Sequence, residues 1–157
     1  MPEDVSIDSA DRDELDAVRA LLREYAASLS VDLHFQRFDD ELAGLPGAYA
    51  PPGGSLLVAR TETGLVGCVG VRALDERTCE MKRLYVRSSQ RGSGLGRRLA
   101  EASIGEARRL GYRAMRLDTL PGMEAAQALY ERLGFRDVAP YMPNPVKGSR
   151  FLELDLG

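Results

Sequence analysis

Residues 90–102 read QRGSGLGRRLAEA, with glycines at 92, 94 and 96 immediately before a helix-like run. Glycine costs backbone entropy, so three of them at alternate positions imply that something approaches the main chain closely. A strand ending at Arg87, a turn, and a helix opening at the glycines gather free N–H groups at a helix amino terminus. Such an end carries about half a positive charge and binds anions. Missing Cβ atoms at Gly92, Gly94 and Gly96 let phosphate oxygens reach those amides, and a pyrophosphate suits the site. Two familiar phosphate loops do not fit. The dinucleotide fingerprint G-x-G-x-x-G wants glycine at 97, where arginine stands, and the nucleotide P-loop G-x-x-x-x-G-K-[ST] is absent. What remains is R-x-x-G-x-G, from Arg91 to Gly96.

The elements that must position this loop are legible from hydrophobic period and turn residues. Val5 and Ile7 alternate as a short strand, and Asp8 or Ser9 caps a helix with its apolar stripe at Leu15, Val18, Leu22, Tyr25 and Leu29, ending near Ser30. A shorter helical piece over 36–43 precedes a Pro/Gly loop. Strands over 55–60, 65–74 and 80–87 form a meander through turns at Thr63-Gly64 and Asp75-Glu76-Arg77. Leu95 to Leu110 is a helix closed by Gly111, its apolar arc formed by Leu95, Leu99, Ala100, Ala102, Ile104, Ala107 and Leu110 with Glu106 intruding. Ala114 to Asp118 is a strand, Met123 to Leu133 a helix, and Phe135–Ala139 and Arg150–Leu156 two closing strands. This order predicts a mixed α/β fold: a mostly antiparallel central sheet flanked by helices, with one crossover near the glycines.

At 157 residues, 44% hydrophobic and 29% charged, the chain has the size and composition of one globular domain spanning 1–157. Its net charge of −3 gives no electrostatic reason to bind nucleic acid or an anionic membrane. Cys68, Cys79 and the single His34 supply no zinc spacing, so no metal is expected, and reduced thiols fit a cytoplasmic setting. The acidic amino terminus lacks the basic and apolar regions of a signal peptide.

The R-x-x-G-x-G run resembles the acyl-CoA pyrophosphate loop of the GCN5-related N-acetyltransferase (GNAT) superfamily. Residues 80–86, EMKRLYV, resemble the family's strand before that loop, and residues 126–135, AQALYERLGF, resemble its late A-x-x-x-Y-x-x-x-G-F signature. Met123 departs from the pattern, because many members carry asparagine there. The resemblance implies an acetyl-CoA-dependent N-acetyltransferase in which a primary amine attacks the bound thioester directly, with no metal and no covalent enzyme intermediate.

By the same resemblance, Glu80 is the candidate base and Tyr130 the candidate acid for the departing sulfur. Leu84, Tyr85 and Val86 offer main-chain groups to the pantetheine and the oxyanion. Arg91, Gly92, Ser93, Gly94, Leu95, Gly96 and Arg97 are implied to hold the pyrophosphate, with Arg98 a further candidate cation, and Ala126 lies against the cofactor. The acceptor is expected between the first two helices and the final hairpin, which points to His34, Arg37, Tyr141 and Asn144. A small or amino-acid-like amine is the expected acceptor, with a peptide or protein amine, or a non-catalytic acyl-CoA-binding module, as alternatives. Pairing of subunits as a homodimer stays open.

Overall fold

The computed structural model describes residues 4–29 and 37–157. These form β1 (Ser6–Ser9), α1 (Leu15–Ser28), α2 (Phe38–Ala43), β2 (Ser55–Thr61), β3 (Gly64–Ala73), β4 (Thr78–Val86), α3 (Leu95–Arg109), β5 (Ala114–Thr119), α4 (Glu124–Arg132), β6 (Arg136–Asp137) and β7 (Arg150–Asp155). The strands make one mixed sheet in the order β1-β2-β3-β4-β5-β7-β6. Every neighbouring pair is antiparallel except β4 and β5, which α3 connects as the expected crossover. No helix among the described residues is long and apolar enough to cross a membrane.

Both faces of the sheet are covered, which is why β2 reads as a continuous apolar run rather than an alternating one. Leu56 and Val58 meet Val18, Leu21 and Leu22 of α1 and Phe38 and Leu42 of α2. Leu57, Val69, Val71, Met81, Met115, Leu117 and Leu152 pack with α3 and with Tyr130 and Phe135 on the opposite face. Leu95 and Leu99 of α3 are almost wholly buried, each worth roughly 1.5–3 kcal/mol of apolar burial. Ser103 shares that face unexpectedly; its hydroxyl donates back to the Ala100 carbonyl at 2.7 Å, so the core tolerates it.

Most expected boundaries move by no more than two residues, and two move for a visible physical reason. The turn into α1 begins at Asp11 rather than Asp8 or Ser9: the Asp11 N–H donates to Glu14 Oε1 at 2.8 Å, and Arg60 grips the same carboxylate at 2.6 and 2.7 Å. The expected strand over 135–139 shrinks to Arg136–Asp137. There, the Phe135 N–H closes α4 by donating to the Tyr130 carbonyl, and Pro140 has no N–H to extend a ladder.

β4 joins β5 through three residue pairs only, Thr78–Ala114, Cys79–Met115 and Glu80–Arg116, whereas β3 stays beside β4 as far as Val86. From Met81 onward one edge of β4 has no strand against it among the described residues, and the sheet opens as a fork. A bulge marks the opening: Arg83 and Leu84 together stand opposite Val69, and Arg83 takes φ +63°.

Gly70, beside this bulge, makes room for Tyr49: a Cβ there would lie 2.6 Å from the Tyr49 ring. Gly70→Ala should therefore cost about 1–3 kcal/mol, the usual penalty for overpacking. Urea unfolding should show a lowered midpoint at unchanged slope.

Candidate active site

The bulge is held by a buried ion pair. Arg83 Nε and Nη2 donate to the two carboxylate oxygens of Glu41, both at 2.9 Å, and the Tyr49 hydroxyl donates to Glu41 Oε2 at 3.1 Å. The Phe38 ring lies 5.1 Å from the guanidinium carbon. This bidentate pair ties α2 to the point where β4 leaves its neighbour. Cys68 lies behind it, its thiol pushed up to about 12 by burial, and Cys79 is likewise pushed up to about 12; both remain buried thiols.

The glycine loop sits at the open end of β4. Gly92 and Gly94 adopt φ +81° and +84°, a conformation that glycine alone takes freely, and Gly94 caps α3. Gly96 is different: an added Cβ would meet only Val86 Cγ2 at an ordinary 3.8 Å, so nothing among the described residues requires glycine there. The spacing therefore serves two purposes, backbone turn at 92 and 94 and open space at 96. Leu95 is a core side chain and offers the loop its main chain only.

A groove of about 300 Å³ runs from this loop along the free edge of β4, lined by Leu84, Tyr85, Val86, Arg91, Gly96 and Ala126 among others. Among the charged and polar groups expected at the loop, Arg91 Nε donates to the Val86 carbonyl at 3.3 Å, beside the groove. Arg97 pairs with Glu101, Arg98 reaches the Val5 carbonyl, and the Ser93 hydroxyl turns back to the Gln90 carbonyl. Tyr85 directs its hydroxyl to Glu24, which Arg87 also grips, so α1 is fastened across the groove's wall.

The groove continues into a small polar cavity of about 40 Å³ inside the fork, where Lys82, Leu84, Asp118, Thr119 and Tyr130 converge with Tyr25 and Met123. Tyr130 is buried, its ring edge-on to Phe135 at 5.8 Å between centroids, and burial raises its hydroxyl well above the ordinary tyrosine range. It keeps its proton at neutral pH and is suited to donate it. Lys82 is buried in the same wall, its ammonium lowered by burial and by Arg83 against the opposing pull of Glu80 and Asp118.

Glu80 lies deeper, at the apex where β4 and β5 still pair, and is fully buried. Arg72 donates to its Oε1 at 2.7 Å and the Tyr141 hydroxyl donates to Oε2 at 2.5 Å. Both oxygens thus accept a hydrogen bond, and Glu80, the expected base, does not line the cavity that holds Tyr130. Tyr141 also stacks edge-on with Phe151 and under the Arg116 guanidinium, while Asn144 Nδ2 donates to Asp118 Oδ2 at 3.1 Å. The segment 140–148 is therefore strapped over the fork at two carboxylates. Arg150 at the start of β7 donates to Gln127 and Glu131 of α4 and to Asp137 of β6.

Of the four expected acceptor residues, Tyr141 and Asn144 come to the fork. Arg37 does not: its side chain is 83% exposed and pairs with Asp40, because it stands outside α2, one residue before the helix begins. His34 lies outside the described residues. Sequence reasoning missed Arg72, Arg83, Glu41 and Asp118. The alternation of β4 could have flagged Arg72 as the cross-strand neighbour of Glu80, but no local signal announces the bulge that turns Arg83 inward.

Comparison with known proteins agrees with this geometry. Residues 15–135 match the model of the acetyltransferase (GNAT) family. An uncharacterised N-acetyltransferase of Schizosaccharomyces pombe is 42% identical over 145 residues, which cover 91% of this chain and 89% of that protein. The structure of an acetyltransferase from Staphylococcus aureus superposes with a TM-score of 0.81 at 20% identity, covering 98% of this chain and all of that one. A Salmonella typhimurium acetyltransferase solved with its cofactor acetyl-CoA gives a TM-score of 0.76 at 26% identity, over 98% and 95% of the two chains. The chain belongs to the GNAT family and is an N-acetyltransferase.

Burial disfavours the charge on Glu41, but the hydrogen bonds and charge of Arg83 outweigh it and hold its carboxyl below the ordinary 4.5. A carboxyl depressed by folding contributes stability that is whole above its unfolded value and is lost as pH falls through its folded one. Glu41→Gln should cost about 3 kcal/mol at neutral pH by stranding Arg83. Urea titrations across the acid range should also show a flatter loss of stability below 4.5 than the parent protein.

Proposed function

We propose that the fork is the reaction centre of acetyl transfer from acetyl-CoA to the primary amine of a small, amino-acid-like acceptor. The observation that carries this reading is the free edge of β4 from Met81 to Val86, which leads from the glycine loop to the buried hydroxyl of Tyr130. Main-chain groups without a strand partner can take the amides of an extended pantetheine as a further strand would. The amides of Leu95, Gly96 and Arg97 at the start of α3 have no backbone acceptor among the described residues, as at any helix start, and suit an anion. Acetyl-CoA supplies the thioester. The chain supplies orientation, a main-chain N–H near Leu84 for the carbonyl oxygen, and the Tyr130 proton for the sulfur.

The acceptor enters from the face that carries α1 and α2. Tyr141 and Asn144 narrow that entrance, which suits a small molecule better than an extended chain. Glu80 serves the reaction by fixing Arg72 and Tyr141 in the wall of that entrance.

Thiol release from acetyl-CoA should be measured over a panel of L-amino acids, alkylamines and short peptides. Turnover confined to the peptides would replace the small acceptor by a protein amine, and tight coenzyme A binding without turnover of any amine would refute the reading. Tyr130→Phe should lower kcat about a hundredfold, with the KM for acetyl-CoA little changed. Gly96→Val should weaken coenzyme A binding about tenfold or more, as a 1.4 kcal/mol clash would, while leaving the unfolding midpoint close to that of the parent.

A further inference from the structure

We propose that Asp118 receives the acceptor's ammonium group and takes its proton, an inference that rests on the reading of the fork as the reaction centre. Asp118 lies two residues beyond Arg116, the last β5 residue paired with β4, and so on the same face of the strand, just where the sheet opens. It lines the cavity that holds Tyr130; Glu80 does not.

Its hydrogen-bonding capacity is half used. Asn144 occupies Oδ2 at 3.1 Å, and among the described residues nothing donates to Oδ1 or forms an ion pair with the carboxylate. Asn144 is itself fixed, its Oδ1 accepting from the Val146 N–H at 2.9 Å, so Asp118 is aimed rather than merely tethered. Glu80, by contrast, has both oxygens engaged.

A second observation points to a ligand in the same cavity. Thr119, 4% exposed, has a buried hydroxyl with no hydrogen-bond partner among the described residues, although it lines the space beside Asp118. A buried hydroxyl without a partner costs free energy comparable to a lost hydrogen bond, and a polar ligand atom in the cavity would relieve it.

The other charged and titratable groups around this space are Lys82 and Arg83 from β4, Tyr25 from α1 and Tyr130 from α4. Arg116, Glu80 and Tyr141 lie next to them on the acceptor face. Arg83, Arg116 and Glu80 are already paired with Glu41, Glu153 and Arg72. Of the carboxylates Glu41, Glu80, Glu153 and Asp118, Asp118 alone lines the cavity and has an oxygen without a donor among the described residues.

The ammonium gives one proton to Asp118 Oδ1, and the neutral nitrogen forms its bond to the thioester carbonyl carbon. The carbon–sulfur bond breaks, the departing sulfur takes the Tyr130 proton, and the surplus proton on nitrogen restores Tyr130. Asp118 then releases its proton to solvent, so each turnover yields one amide, one thiol and one proton.

The probe is the amine of the panel above that the parent enzyme turns over fastest. Asp118→Asn should lower kcat/KM for that amine about a hundredfold at neutral pH, with acetyl-CoA affinity unchanged, and the deficit should shrink as pH rises and the amine loses its proton unaided. Asp118→Glu should restore most of the neutral-pH rate, which a purely structural role would not predict. Glu80→Gln should show no such pH-dependent recovery, because it removes no proton acceptor from the cavity. Three results would overturn the proposal: an Asp118→Asn rate within threefold of the parent, a deficit that stays constant as pH rises, or the same pH-dependent deficit in Lys82→Met instead. If the parent turns over no amine, the reading of the fork falls and this inference falls with it; if it does and Asp118→Asn is unaffected, only the assignment of Asp118 fails.

Discussion

Everything at this site depends on β4 parting from β5 after three residue pairs, and a separated strand needs something to hold its backbone away from the ladder. The Arg83–Glu41 pair does that. A non-glycine residue at φ +63° carries local strain, which the surroundings must over-determine if it is to persist. A bidentate buried ion pair, a tyrosine hydroxyl on the same carboxylate and a ring over the guanidinium supply the determination. The pair contributes little net stability of its own, since desolvation offsets much of the attraction, but removing either partner leaves a buried charge unanswered. Its role is geometric: it converts a strand edge into a binding surface.

Two kinds of order meet along that edge. Toward the glycine loop the contacts are main-chain groups, indifferent to side-chain identity and set by the turn at Gly92 and Gly94 and the start of α3. Toward the apex they are side chains on the α1 and α2 face, where carboxylates and guanidinium groups alternate: Glu41 with Arg83, Glu80 with Arg72, Glu153 with Arg116. Because these charges largely cancel, this end of the groove presents shape and individual open valences rather than a broad field.

The sequence made the framework and the loop legible because both are written locally. Glycine placement, the apolar stripe of α3 and the Gly111 and Gly134 helix ends locate β4, α3, β5 and α4 within a residue or two. Motif position also carried Tyr130 to the cavity. Glu80 illustrates the limit: its position on the strand was legible, but its partners come from β3 and from a loop sixty residues away, and they use both its oxygens. Asp118 was read only as the last residue of a strand, because its importance depends on where the neighbouring strand stops pairing. Arg83 was hidden for a related reason: a one-residue bulge reverses the inward and outward alternation on which strand reading rests.

The three-residue grip of Arg150 has a consequence for how this molecule can change. That guanidinium harnesses the helix bearing Tyr130 to the hairpin from which the 140–148 strap emerges. A strap exchanged for another in the course of divergence drags on the helix unless Gln127, Glu131 and Asp137 travel with it. Residues 124–155 thus form a cassette, in which the 140–148 strap and the helix that carries Tyr130 are inherited together.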